Sequence, residues 1–147
     1  MPCIKIPANK LRTHICWGNC AGPHHRDIPL SKFIESVLRA KAHVILVEGA
    51  NPRHEHEWAV FNTVKLSEDK VLAPGVIGST SNYIEHPDLV AERLLRYARV
   101  VGRGRVMAGS DCGFSTFLGF PTVFPDIAWK KLQSLVEGAQ LASAKLW

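Results

Sequence analysis

The stretch that decides the fold reads Thr13-His14-Ile15-Cys16-Trp17-Gly18-Asn19, a short β-type run that ends in a turn. Alternate residues of a strand point to the same face, so His14 and Cys16 would present an imidazole and a thiol side by side. Both groups bind zinc in proteins. Taken by itself, the stretch fits either half of a metal site or a buried thiol beside a hydrogen-bonded histidine.

Length and composition indicate one ordinary globular domain of 147 residues. Hydrophobic residues make up 46% of the chain and charged residues 21%, as is typical of such domains. The net charge of +5 comes from scattered Lys and Arg residues, whose densest cluster covers positions 93–105. This scatter predicts a solvated basic face rather than a surface for nucleic acid.

The cysteines form no regular disulfide framework, and residues 1–10 contain no apolar core of a secretory signal. The longest apolar run beside a strand, residues 44–47, is far too short to span a membrane. We therefore expect a cytoplasmic, reducing compartment, in which cysteines serve as ligands or core residues rather than bridges. The four cysteines are Cys3, Cys16, Cys20 and Cys112.

Predicted strands and helices alternate four times after a lead-in segment, residues 1–11. The predicted strands cover residues 12–17, 43–47, 71–77 and 105–108, and the predicted helices cover 30–42, 55–66, 87–101 and 125–146. Pro74-Gly75 predicts a bent or irregular third strand. The long loop 18–29 is of a length that is usually functional. The alternation itself predicts parallel strands with right-handed helical crossovers.

Potential ligands follow three of the predicted strands, at the carboxyl ends where parallel sheets carry their chemistry. His14 and Cys16 close the first strand, Glu48 follows the second, and Asp111-Cys112 follows the fourth. If the strands curve as in a barrel, these ends converge. One histidine, two cysteines and one glutamate would then form a tetrahedral zinc set.

The charge of such a set indicates its chemistry. Zinc with two thiolates and one carboxylate carries a net charge of −1, whereas zinc with three neutral histidines keeps +2 and acidifies water. A thiolate-rich zinc instead favours binding and deprotonating a substrate thiol, with Glu48 as the replaceable ligand. The expected chemistry is alkyl transfer to a thiol. Two structural alternatives are a core cysteine at Cys112 and an ion pair between Glu48 and Arg53.

Other polar residues compete for functional roles. Cys20 lies four residues after Cys16 and is a rival ligand, but no second pair of this spacing supports it. Asn19 and His24, in the loop after the first strand, are candidate substrate-binding residues. His54 and His56 are expected to cap or begin the second helix. His86 is expected to cap the third.

Five motifs stand at these strand ends and helix starts. They are His14-Ile15-Cys16-Trp17-Gly18-Asn19, Val47-Glu48, Pro74-Gly75-Val76-Ile77, Glu85-His86-Pro87 and Ser110-Asp111-Cys112-Gly113-Phe114. Together they resemble the catalytic carboxyl-terminal half of cobalamin-independent methionine synthase. The closer resemblance is to its shorter relatives, which include the epoxyalkane:coenzyme M transferases. It extends from about residue 12 to residue 115.

The resemblance implies a (β/α)₈ barrel with a catalytic zinc that binds a thiol substrate. The family's zinc ligands are a His-x-Cys pair, a glutamate and a later cysteine, which correspond here to His14, Cys16, Glu48 and Cys112. Asp111 precedes the last ligand as in the family and would orient it. The implied reaction transfers a methyl or other alkyl group to homocysteine or a coenzyme M-like thiol, with methyltetrahydrofolate as one candidate donor.

Only four βα units are present, whereas the family barrel has eight, so the chain corresponds to the last half of the barrel. We expect a fragment that needs the missing half or dimerises with itself. Its inward faces would lack opposing side chains, and we expect them to include Ile15, Ile45, Leu72 and Val106 or their neighbours. Alternatives are a non-catalytic zinc-binding half-barrel, a truncated gene product, and a zinc-free barrel like uroporphyrinogen decarboxylase, against which the intact ligand set argues.

Overall fold

Four parallel strands form the main sheet of the computed structural model, which describes residues 5–147 apart from the side chains of Thr116 and Phe117. Cys3 and the start of the lead-in segment lie outside the described residues. The strands occur in the order β1 (Arg12–Ile15), β2 (Val44–Val47), β3 (Val71–Ile77) and β4 (Gly109–Ser110). The sheet curls into half of a barrel, which confirms the predicted α/β class and barrel architecture.

The first three strands pair in regular register. His14 lies opposite Leu46, and Leu46 lies opposite Ala73. Strand β3 runs through Pro74 as one element, although a bent or irregular strand was expected there. The irregularity lies on the β4 side, where the register shifts between Gly75 and Ile77.

The fourth strand was predicted four residues too early. Residues 105–108 contribute only an isolated bridge between Leu72 and Val106, and the strand itself is Gly109–Ser110. The reason is close backbone contact: a Cβ on Gly109 would lie 3.2 Å from the Pro74 carbonyl oxygen. The hydrophobic periodicity of the sequence carries no information about this contact. The later strand places the next two residues, the predicted site residues, at its carboxyl end.

Three α-helices accompany the sheet, α1 (Ile34–Leu38), α2 (Pro87–Val101) and α3 (Pro125–Leu146). Helices α2 and α3 have the predicted bounds, and the His86 side chain caps α2 by accepting the N–H of Asp88. Among the described residues, no helix combines the length and apolarity needed to cross a membrane.

The first two predicted helices are shorter or tighter than expected. The span 30–42 holds a 3₁₀ turn, Leu30–Lys32, and then α1, because the backbone at Phe33 departs from helical geometry with φ −136°. The second predicted helix is the 3₁₀ helix Glu55–Asn62. A two-stranded antiparallel hairpin that was not predicted follows β4, with strands β5 (Ser115–Phe117) and β6 (Phe120–Pro121).

The main core lies between the sheet and the helical segments. Ile45 and Leu72 are fully buried there against Leu30, Phe61 and Tyr97. The expectation that these two strand residues face the open inner side is therefore wrong, because they point to the helices. A second cluster packs β3 against α2 and α3 through residues that include Val76, Val90 and Ala142.

Candidate metal centre

The carboxyl ends of three strands bring four predicted ligands together. The donor atoms of His14, Cys16 and Cys112 all lie within 4.8 Å of one another. The Cys112 Sγ is 3.4 Å from His14 Nε2 and 3.4 Å from the Oε1 of Glu48. His14 lies near the end of β1, Cys16 and Glu48 directly follow β1 and β2, and Cys112 follows β4, so the curl of the sheet brings them together.

The spacing and charge of the donors fit zinc. Bond lengths of about 2.0 Å to nitrogen and 2.3 Å to sulfur place neighbouring donors of a tetrahedral site about 3.3–3.8 Å apart. The two 3.4 Å contacts of Cys112 fall in this range. Burial raises the pKa of the Cys112 thiol, and the Glu48 carboxylate and the Cys16 thiol raise it further. A divalent cation would offset this repulsion between anionic donors.

Glu48 is held in place by neighbours other than the arginine that was considered as its partner. Its Oε2 accepts a hydrogen bond from Asn51 Nδ2 at 2.8 Å, and its Oε1 accepts one from the Trp17 N–H at 3.4 Å. The Arg53 side chain instead donates to the carbonyl of His25 at 3.3 Å. With these hydrogen bonds in place, Oε1 of Glu48 contacts the Cys112 thiol.

Asp111 fixes the loop that follows β2. It is only 2% exposed, and its Oδ1 accepts the N–H groups of Gly49 at 2.8 Å and Ala50 at 2.9 Å. Its Oδ2 accepts Asn51 Nδ2 at 3.3 Å, the same amide that binds Glu48. Burial raises the pKa of Asp111, while the two backbone N–H groups act in the opposite direction. Asp111 therefore holds the loop that carries Asn51, whose amide contacts Glu48.

A cavity of about 230 Å³ adjoins the cluster, and both predicted substrate-binding residues line it. Asn19 spans the loops after β1, β3 and β4: its Nδ2 donates to the Gly113 carbonyl at 2.7 Å, and its Oδ1 accepts the Ser79 hydroxyl at 2.7 Å. His24 lines the cavity together with Glu48. The cavity thus reaches the cluster at Glu48, whereas His14, Cys16 and Cys112 are not among its lining residues.

A second cluster, which was not predicted from the sequence, lies at the same edge of the sheet. Asp27 Oδ2 lies 2.6 Å from His24 Nδ1 and 3.0 Å from His54 Nε2. His54 precedes a 3₁₀ helix as expected, but its side chain makes no capping bond and stacks on Trp17 at 3.7 Å instead. The Cys20 thiol faces His24 at 3.5 Å and lies outside the first cluster. The sequence contained one indication of this second cluster: Asp27 and His54 lie in the loops that follow β1 and β2.

No family model and no curated protein sequence matches the chain. Among solved structures, it is similar to a B12-independent methionine synthase from Shewanella sp. W3-18-1, determined in complex with selenomethionine. The match has a TM-score of 0.68 and 18% sequence identity, and it covers 92% of this chain but 39% of that one. This chain thus spans well under half the length of the protein it resembles. At this identity the likeness establishes the fold: the four strands form part of a (β/α)₈ barrel like that of a B12-independent methionine synthase.

Proposed function

We propose that the chain is the zinc-binding half of a cobalamin-independent thiol alkyltransferase, an S-methyltransferase that acts on homocysteine or a similar small thiol. The observation that carries the proposal is the convergence of His14, Cys16, Glu48 and Cys112 at the carboxyl edge of the sheet. Zinc bound by two thiolates and a carboxylate, with a net charge of −1, supplies a centre that activates a thiol rather than water.

The residues around the proposed ion have different proposed roles. His14, Cys16 and Cys112 would hold the ion, and Glu48 would be the ligand that the substrate replaces. Asn51 Nδ2 lies 2.8 Å from the second oxygen of Glu48, so the carboxylate would keep a hydrogen-bond donor if the substrate replaced it on the ion. Asp111 acts as a positioning residue because it holds the loop that carries this amide.

The cavity beside the cluster is the proposed substrate site. Its volume of about 230 Å³ suits a small thiol. Asn19 and His24 would contact the part of the substrate that is remote from sulfur, since both line the cavity together with Glu48. The alkyl donor, for which methyltetrahydrofolate is one candidate, would approach from the side of the sheet that a complete barrel closes.

We also propose that residues 1–147 are the carboxyl-terminal part of a cytoplasmic, methionine-synthase-like barrel, with residues 1–11 as a lead-in segment. The match to 39% of a longer chain supports this assignment. The two outer strands of the sheet, β1 and β4, each have one neighbour in the main sheet. A complementary half or a second copy would pair with them and complete the site.

Cobalt substitution tests the proposed thiol site. Homocysteine or coenzyme M should change the visible absorption of the cobalt-loaded protein, whereas homoserine, which carries a hydroxyl in place of the thiol, should not. Cys112→Ser should abolish the response. An absence of change with any small thiol would contradict the proposed function. Thiol binding without alkyl transfer, once the complementary half is supplied, would favour a non-catalytic zinc-binding module.

A further inference from the structure

His24, Asp27 and His54 form a second set of ligand-type side chains, separate from the thiolate-rich cluster. Their donor atoms lie within 4.8 Å of one another, and one oxygen of Asp27 contacts a ring nitrogen of each histidine. From this geometry we propose a second divalent transition-metal site with two histidines and one carboxylate as ligands. The proposal does not depend on the proposed alkyl transfer.

The surroundings of His54 support a cation between its ring and Asp27. The side chain is 3% exposed, and its Nε2 faces Asp27 at 3.0 Å. Its Nδ1 has no hydrogen-bond partner among the described residues and faces a second carboxylate, Glu57 Oε2, at 3.7 Å. A neutral imidazole has only one N–H and satisfies only one of these two carboxylates. With a metal ion on Nε2, the ring proton lies on Nδ1 and points to Glu57, the arrangement usual for metal-bound histidine.

Glu57, which faces Nδ1 of His54, is itself held in a fixed position. It is 6% exposed, and both of its oxygens accept the N–H of Leu30, at 3.1 and 3.2 Å. The ring of His54 is fixed from another side, because it stacks on Trp17 at 3.7 Å with an interplanar angle of 9°. The most buried ligand is therefore oriented before an ion arrives, which favours binding.

Like His54, His24 has one ring nitrogen that faces Asp27 and a second ring nitrogen that faces a different acceptor. Its Nε2 faces the Cys20 carbonyl oxygen at 2.9 Å, and its Nδ1 faces Asp27 at 2.6 Å. Its backbone adopts φ 49°, the left-handed region that residues other than glycine rarely occupy.

The site can open to admit an ion. Donors around a tetrahedral zinc lie about 3.3 Å apart, so the 2.6 and 3.0 Å contacts need to lengthen by less than about 1 Å. His24 and Asp27 lie in the long loop between β1 and the Leu30–Lys32 turn, outside regular elements. His24 and His54 also line the cavity, so the free coordination positions would face it. Such a site has a net charge of +1 and favours water or another oxygen ligand.

Titration of the metal-free chain with zinc and with cobalt tests the proposal. The unmodified chain should bind two equivalents. Cobalt in the first site should give an intense thiolate charge-transfer band, and cobalt in the second site should give only weak visible bands. Asp27→Asn should bind one equivalent and keep the thiolate band, which reports that the protein is folded. His24→Asn should also bind one equivalent and keep the thiolate band. The variant should still fold, because asparagine tolerates the left-handed backbone.

Two further variants complete the test. Cys112→Ser should lose the thiolate band and keep the second equivalent, which separates the two sites. His25→Asn changes an exposed neighbouring histidine and should keep both equivalents. Binding by the unmodified chain of a single equivalent that carries the thiolate band would overturn the proposal. So would a second equivalent that survives in both Asp27→Asn and His24→Asn.

Discussion

At the scale of single residues, the four donors at the strand ends should differ in how much zinc binding depends on them. Cys16→Ser and Cys112→Ser should each cause a large loss of zinc, because each removes a thiolate from a cluster whose donors lie within 4.8 Å of one another. Glu48→Gln should lose less, since the glutamate is the ligand that we propose the substrate would replace. Elemental analysis of the purified variants measures the effect.

Cys20→Ser is the matched control for these variants. Its thiol lies beside His24, outside the cluster of His14, Cys16 and Cys112. Its zinc content should equal that of the unmodified chain. If Cys16→Ser and Cys112→Ser both keep full zinc, the assignment of ligands is wrong.

The His24–Asp27 pair should make the loop after β1 sensitive to pH in the metal-free protein. The Cys20 carbonyl and Asp27 raise the pKa of His24 from 6.5 to about 9. The stability from this histidine is thus fully present below its unfolded pKa and is lost as the pH rises through about 9. Hydrogen bonds from His54 and His24 outweigh desolvation and lower the pKa of Asp27 below 3.8. Its contribution is present above that value and is lost as the pH falls further.

Proton NMR of the metal-free chain measures this effect directly. The His24 ring should titrate near pH 9, and Asp27→Asn should lower its midpoint because the carboxylate is gone. His86 is exposed on another loop, and its ring signals provide an internal reference that Asp27→Asn should leave unchanged. A His24 midpoint near 6.5 in the unmodified chain would refute the expected coupling.

At the scale of elements, an ion pair between Lys131 and Glu85 links α3 to the loop that follows β3. Lys131 is fully buried, and its Nζ donates to Glu85 Oε2 at 2.8 Å and to the Tyr83 carbonyl. Oε1 of the same glutamate accepts the N–H of Gly78 at 2.7 Å. Lys131→Met should lower the free energy of unfolding by about 3–5 kcal/mol, because it leaves a buried carboxylate without its cation.

Denaturation in urea measures this loss and separates its causes. The double variant Lys131→Met/Glu85→Gln should lose less than the single one, since no unpaired charge remains. Lys130→Met changes an exposed neighbour on α3 and should shift stability by less than about 0.5 kcal/mol. Equal losses for Lys131→Met and Lys130→Met would show that the ion pair does not stabilise the packing of α3.

At the scale of the whole molecule, the open sheet should drive association. Strands β1 and β4 are the outer strands of the main sheet, and unpaired strand edges invite pairing with another chain. Large apolar side chains are also exposed after β4, among them Leu118, Phe120 and Phe124. Leaving one such side chain exposed loses about 1.5–3 kcal/mol of folding free energy that its burial would contribute. A typical domain has a total stability of about 5–15 kcal/mol.

We therefore expect the 147-residue chain, made alone, to form a dimer or a poorly soluble, weakly folded species. The edges should contribute more than the inner face, because Ile45 and Leu72 are already covered by the helical layer. Sedimentation combined with thermal melting measures both properties. A soluble monomer with a sharp cooperative melt would refute the half-barrel interpretation.

Local sequence by itself determined the order of elements and the best-defined helices. The apolar period and first-turn proline of α2, and the long span of α3, predicted their bounds because both signals act within a few residues. The placement of ligand-type residues at strand ends predicted which donors meet, because parallel strands share one carboxyl edge. That is why His14, Cys16, Glu48 and Cys112 could be named without coordinates.

Only the tertiary structure decided what depends on approach between distant segments. The position of β4 depends on close backbone contact between β3 and the end of β4 at Gly75, where a Cβ would lie 2.7 Å from the Cα of Asp111. The side of the sheet that Ile45 faces is set by the helices that cover it. His54 meets Asp27 across 27 positions of sequence. Hydrophobic periodicity is a local property, whereas these contacts depend on how far the sheet curls and which loops it brings together.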